Sequence, residues 1–125
     1  MKEFDLIVIG GGPGGYVGAI RGAQMGASVA LIEKDNLGGT CLNRGCIPTK
    51  ALYYSAKALK AAHKAADFGV TVGDVSFDLG KAVSRKDEVV EKLVGGVGQL
   101  LKANGVQVIK GTGALEGNGK VKVDS

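Results

Sequence analysis

Cys41 and Cys46 are the side chains of this sequence best suited to covalent chemistry. They lie five apart in Gly38-Gly39-Thr40-Cys41-Leu42-Asn43-Arg44-Gly45-Cys46-Ile47-Pro48-Thr49-Lys50. In a regular helix the rise alone would separate them by about 7.5 Å, beyond the usual Cα range of a disulfide. A disulfide here therefore requires a distorted turn, and Gly45 and Pro48 are residues that permit one. A helix beginning near the pair would aim its positive end at a thiolate, and Lys50 adds a cation. Two inert thiols and half of a zinc site are the competing readings. Zinc wants four ligands at closer spacing, and the only histidine, His63, stands in an Ala- and Lys-rich stretch expected to be helical, with His63 on its surface or in solvent. No metal is expected.

A second group of residues is suited to holding phosphate. Gly10-x-Gly12-x-x-Gly15 follows the apolar run Phe4–Ile9 and opens a helical pattern. An acidic residue, Glu33, closes the next apolar run. Gly10 allows a tight turn, Gly12 lets backbone approach a pyrophosphate, and Gly15 lets the helix pack on the strand. The helix start supplies free N–H groups to the phosphates, and Glu33 can accept from ribose hydroxyls. No Gly-Lys-Ser/Thr follows, so this is not a Walker loop. The loop alone does not separate NAD from FAD.

These residues need elements to position them. Residues 4–9 read as a buried strand, 10–15 as a loop and 16–26 as a helix with Val17, Ile20, Ala23 and Ala27 on one face. Residues 28–32 read as a second buried strand, completing a βαβ unit. A polar stretch over 34–50 leads to a helix over 49–66, then a loop over 67–78 with a short extended piece at Val70-Thr71-Val72. A longer helix is predicted over 78–104, with apolar positions at Val83, Val90, Leu93, Val94, Val97, Leu100 and Leu101. Gly95, Gly96 and Gly98 weaken it, and close packing is the expected reason. Residues 106–109 read as a strand, Gly111-Thr112-Gly113 as a loop and 120–123 as the start of a strand.

Composition narrows the function classes. Glycine is 22 of 125 residues but proline only 2, so the chain is neither collagen nor a Pro/Gly linker. The net charge is +4, from 16 basic and 12 acidic residues. The basic residues are scattered along the sequence, so no nucleic-acid partner is expected. No window of 18 apolar residues predicts a membrane span. The start lacks the pattern of a signal peptide, so the chain is expected in the cytoplasm, or in the mitochondrial matrix if processed. In such compartments paired cysteines are more often redox-active or metal-binding than structural.

Val8-Ile9-Gly10-Gly11-Gly12-Pro13-Gly14-Gly15-Tyr16, then Glu33, then Gly38 to Lys50, resembles the flavoprotein disulfide reductases. Leu42-Asn43 and Ile47-Pro48 favour the branch that oxidises dihydrolipoamide, while glutathione and mercuric reductases share the outline. The resemblance covers the whole chain. It implies a Rossmann-like α/β FAD-binding domain, a parallel sheet with flanking helices. It implies that Gly10, Gly12, Pro13, Gly14 and Gly15 hold the FAD pyrophosphate, with Glu33 on the adenosine ribose and Lys34 beside it. Gly39 and Thr40 would contact the dinucleotide, Gly113 and Ala114 the adenine. Cys41 would exchange with the dithiol, Cys46 would face the flavin, and Lys50 would reach its N5 region. The implied reaction takes dihydrolipoamide and NAD⁺ to lipoamide and NADH. The implied partners are a lipoyl domain, the core of a 2-oxo acid dehydrogenase complex and a second copy in a homodimer. Gly18 and Gly22 stand where the family usually carries alanine, at about 1 kcal/mol each.

The resemblance also implies a longer protein. Residues 1–125 are expected to be the N-terminal part of an FAD-binding domain that is incomplete at its C-terminus. The NAD-binding and interface domains are absent from the chain, which alone is expected to be inactive. A non-catalytic dinucleotide-binding module and an NAD-dependent Rossmann dehydrogenase are the alternatives; the latter leaves the cysteines unexplained.

Overall fold

The computed structural model describes residues 1–124. Three short parallel strands form its sheet: β1 (Leu6–Ile9), β2 (Val29–Glu33) and β3 (Gln107–Lys110), in the order β1-β2-β3. Leu6 lies opposite Val29, and Ala30 opposite Gln107. The central position of β2 explains its unbroken apolar run: Val29, Ala30, Leu31 and Ile32 are all buried. Full burial of a Val, Leu or Ile side chain is worth about 1.5–3 kcal/mol. β1 has a neighbour on one side only among the described residues, and its Leu6 and Ile9 are exposed. The expectation of a buried first strand fails there, because burial depends on what flanks a strand and not on its composition.

α1 (Pro13–Gln24) joins β1 to β2. It starts three residues before the predicted Tyr16, because Pro13 at its first position has the φ of a helix and no N–H to leave unpaired. Its buried residue is Ala19, with Tyr16, Ile20, Ala23 and Ala27 packed against the core; the predicted Val17 is 56% exposed. Gly22 has a packing reason, since a Cβ there would meet Leu6 Cδ2 at 2.9 Å, whereas one at Gly18 would meet nothing within 4 Å.

The polar stretch 34–50 is irregular only over 34–38 and at Gly45. It forms α2 (Gly39–Arg44) and the first residues of α3 (Cys46–His63). A 3-10 turn (Ala65–Phe68) follows, and Val70-Thr71-Val72 forms no strand. α4 (Leu79–Ala103) begins at Asp78, whose carboxylate accepts from the Lys81 N–H at 3.0 Å. Its buried positions are Ala82, Val97 and Leu101, while Val83, Leu93 and Leu100 face outward. Val97 and Leu101 join Ala19, Val29, Leu31 and Val106 in the core. The chain ends in a hairpin of β4 (Thr112–Gly117) and β5 (Lys120–Asp124), turning through Asn118 and Gly119. The predicted Gly111-Thr112-Gly113 loop is therefore the entry to a strand, drawn into it by pairing of Thr112 with Asp124. No helix among the described residues is long and apolar enough to cross a membrane.

The glycines of α4 correct a packing expectation. A Cβ at Gly95 or Gly96 would meet nothing within 4 Å, and one at Gly98 would make ordinary contact with Leu37 Cδ1 at 3.7 Å. Gly95→Ala should therefore stabilise the chain by about 0.5–1 kcal/mol, through the lost entropy of the unfolded backbone. Urea unfolding of the variant checks this, and a lowered midpoint would contradict the open space at that face.

Candidate functional site

The phosphate loop and the cysteine segment meet backbone to backbone. Gly10, at the end of β1, has φ +105°, a conformation that favours glycine, and its N–H donates to the Ile32 carbonyl at 2.8 Å. The chain then turns into α1, whose first helical bond runs from the Tyr16 N–H to the Gly12 carbonyl at 2.9 Å. The N–H groups of Gly14 and Gly15 precede that bond and have no helical partner. A Cβ on Gly15 would overlap the Gly10 carbonyl oxygen and lie 2.9 Å from its carbon. Only glycine lets the helix cross the strand end this closely.

The cysteine segment closes over this loop. The Gly38 N–H donates to the Gly11 carbonyl at 2.8 Å. A Cβ on Gly39, whose φ is +77°, would stand 3.1 Å from the Gly12 Cα and 2.9 Å from Pro13 Cδ. Asn43 pins the turn by donating to the Leu37 carbonyl at 3.0 Å and the Gly39 carbonyl at 2.9 Å. Sequence reasoning assigned Asn43 no such part; its tendency to bond nearby backbone was the available signal.

Cys41 and Cys46 form a disulfide with Cα atoms 4.8 Å apart. The distorted turn it requires is at Gly45, where φ −123° and ψ −111° separate α2 from α3. A Cβ on Gly45 would sit 3.1 Å from the Cys41 Cα, so the missing side chain also allows the close approach. Cys46 is the first residue of the 18-residue α3, at the positive end of its dipole. Lys50 is one turn further along, and Cys41, Cys46, Thr40 and Lys50 are all exposed. Arg44, between the cysteines, forms an ion pair with Asp35 on the loop after β2. His63 is exposed at the end of α3, and no cluster of metal ligands occurs among the described residues.

Glu33 faces the loop rather than solvent alone. Its Oε2 accepts from the Gly11 N–H at 2.7 Å and its Oε1 from the Asp35 N–H at 2.8 Å. A carboxylate has about four acceptor positions, so two remain for hydroxyl donors. Gly10, Lys34 and Gly113 line one cleft of about 180 Å³, together with Ile9, Ile32, Gly111 and Thr112. Gly113 is seated on the ends of β1 and β2, where a Cβ would stand 3.3 Å from side-chain atoms of Ile9 and Ile32. Ala114 is the next residue of β4 and is exposed. The free N–H groups, the glycine approaches and the spare acceptor positions of Glu33 fit a dinucleotide laid along the carboxyl ends of the strands.

Residues 4–125 match the family model described as pyridine nucleotide-disulphide oxidoreductase. Curated relatives carry the name dihydrolipoyl dehydrogenase. One, from Acholeplasma laidlawii, is 55% identical over 124 residues, which are 98% of this chain and 37% of that protein. Another, from Zymomonas mobilis, is 51% identical over 98% of this chain and 26% of its own length. A third, from Bacillus subtilis, is 48% identical over 92% of this chain and 24% of its own length. The chain thus spans between about a quarter and just over a third of these relatives. On the family match, which takes in both the phosphate loop and the disulfide turn, the chain belongs to the pyridine nucleotide-disulphide oxidoreductases.

Proposed function

We propose that residues 4–125 hold the ADP half of FAD and carry the redox disulfide of an enzyme that oxidises dihydrolipoamide with NAD⁺. The observation that carries this reading is the joining of the phosphate loop to the disulfide turn, through Gly38 on Gly11 and Gly39 on Gly12. The preference for dihydrolipoamide rests on relatives of that name at about half identity. In the whole protein, a lipoyl domain of a 2-oxo acid dehydrogenase complex would present the dithiol, and the enzyme would work as a homodimer. Gly10, Gly12, Pro13, Gly14 and Gly15 would hold the pyrophosphate, with Gly39 and Thr40 closing over it. Glu33 would accept from the ribose, with Lys34, Gly113 and Ala114 beside the adenosine. When bound, FAD supplies a two-electron acceptor for the cysteine pair and a donor to NAD⁺.

The chain's own residues carry the sulfur chemistry. A substrate thiolate attacks the Cys41 sulfur, the Cys41–Cys46 bond breaks, and its electron pair leaves on Cys46. The second substrate thiolate then attacks the substrate sulfur bound to Cys41. The substrate becomes a disulfide and both cysteines are reduced. The asymmetry has a physical source: the better-stabilised thiolate leaves faster, and Cys46 sits at the N-terminus of α3. Lys50, one turn on, would stabilise the same charge and reach the flavin when FAD is bound.

Peptide mapping tests the assignment. Trypsin cuts after Lys34, Arg44 and Lys50, so the two cysteines fall in separate peptides. After brief treatment of the oxidised chain with limiting 2-mercaptoethanol and an acid quench, the adduct is expected on the Asp35–Arg44 peptide. A majority on the Gly45–Lys50 peptide would reverse the two roles.

A further inference from the structure

α2 is too short to stand alone. A helix of six residues needs tertiary support in water, yet none of its residues is fully buried, and Leu42 reaches the core only in part. This helix carries Cys41, and the break at Gly45 separates it from α3, which begins with Cys46. Its placement therefore rests on a few fastenings. The disulfide is one. The others are the Gly38 N–H on the Gly11 carbonyl, the Asn43 amide on the Leu37 and Gly39 carbonyls, and the ion pair of Arg44 with Asp35. Once the disulfide opens, the noncovalent fastenings decide how near Cys41 stays to Cys46.

The ion pair is set apart by its anchor. Asp35 follows the end of β2, and its N–H donates to Glu33 Oε1 at 2.8 Å. Glu33 Oε2 accepts in turn from the Gly11 N–H at 2.7 Å. The Asp35 backbone is thus tied to the end of the most buried strand and to the phosphate loop. Arg44 closes α2, between the two cysteines. The other ion pairs among the described residues, Lys86–Asp87 and Lys122–Asp124, each lie within one element. Both Arg44 and Asp35 are exposed, so the pair is sensitive to salt and its effect is a few-fold in an equilibrium.

We propose that Arg44 and Asp35 are positioning residues of the redox centre: their pair holds α2 so that the reduced cysteines stay poised to close. The proposal rests on the redox reading of the cysteine pair. The ion pair is present with the disulfide closed, and linkage is reciprocal. Whatever the disulfide contributes to the ion pair, the ion pair contributes to the disulfide. Loss of either partner should therefore make the disulfide easier to reduce. Bare charge near the sulfurs predicts otherwise. Arg44 favours a thiolate and Asp35 opposes one, so charge alone would make reduction harder in R44Q and easier in D35N.

The test equilibrates the oxidised chain with a series of ratios of reduced to oxidised dithiothreitol, read by acid quench, alkylation and mass. Two electrons and two protons pass from dithiothreitol to the cysteines. The Cys41–Cys46 bond breaks, and the sulfur–sulfur bond of cyclic dithiothreitol forms. R44Q and D35N are each expected to lower the equilibrium constant for closing the disulfide about threefold at low salt, or about 14 mV for a two-electron couple. D35N/R44Q should show the same loss as either single variant, because the second change removes a partner already lost. The differences should nearly disappear in about 0.5 M salt. Urea unfolding verifies that each variant is folded under the assay conditions. Unchanged constants, shifts of opposite sign in R44Q and D35N, or a double variant that multiplies the two losses would overturn the role of the pair alone. A disulfide that does not open and close reversibly at any ratio would overturn the redox reading, and the positioning role with it.

Discussion

The Cys46→Ser chain is expected to lose two-electron exchange completely while keeping one reactive thiol. The two native cysteines are joined across a break in the helix, with nothing else in the chain able to replace either sulfur. Reduced wild type should release two thionitrobenzoate ions from Ellman's reagent per chain: one as Cys41 is captured, one as Cys46 closes the internal disulfide. Cys46→Ser should release one and retain a stable adduct on Cys41, readable by mass. A second release, or no adduct, would contradict the resolving part given to Cys46. The substitution also removes a crosslink with a sequence separation of five. Loop-closure entropy for so short a loop is worth roughly 2 kcal/mol, so unfolding should be measured beside exchange. Loss of the second release at temperatures where the variant is folded separates chemistry from stability.

Gly15→Ala is expected to be the most damaging single methyl in the chain. The added carbon would overlap the Gly10 carbonyl oxygen, with Val8 Cγ1 3.4 Å away on the other side. Both obstacles belong to β1 and its end, so α1 must lift off the sheet or the loop must reshape. Overpacking of this kind costs about 3 kcal/mol. That is a large share of the stability of a small domain. Gly14→Ala is the matched control, because a Cβ there would meet nothing within 4 Å. Urea unfolding should show a large loss for Gly15→Ala and a change under about 1 kcal/mol for Gly14→Ala. FAD titration followed by flavin fluorescence should show weaker binding for Gly15→Ala under conditions where it is folded. Equal effects at the two glycines would mean that helix crossing is not what Gly15 serves.

Much of the site was readable because its determinants are local. The order strand, glycine turn, helix, strand follows from apolar runs broken by glycine, and the observed β1, α1 and β2 obey it. The prediction that a Cys41–Cys46 bond needs a distorted turn follows from helix rise alone, and the break at Gly45 meets it. Errors fell where a neighbour distant in sequence decides the outcome. Val17 and Ala19 are both apolar, and only the docking of α1 on the sheet makes Ala19 the buried one. Gly95 and Gly96 looked like packing positions, yet no partner lies against them. Gly111 to Gly113 looked like a loop until β5 supplied a partner for β4.

The sequence by itself determined which atoms can react and which backbone must stay bare. Two cysteines, a glycine between them and a phosphate-loop spacing are matters of residue type and short-range geometry. Tertiary structure alone decided that these local pieces form one site. The Glu33 carboxylate turns inward onto Gly11, and Gly39 lies against Gly12. The reason is physical: hydrogen bonds and steric limits over a few residues are written into neighbouring positions. Contact between segments twenty or more residues apart depends on which faces the whole chain can bury together.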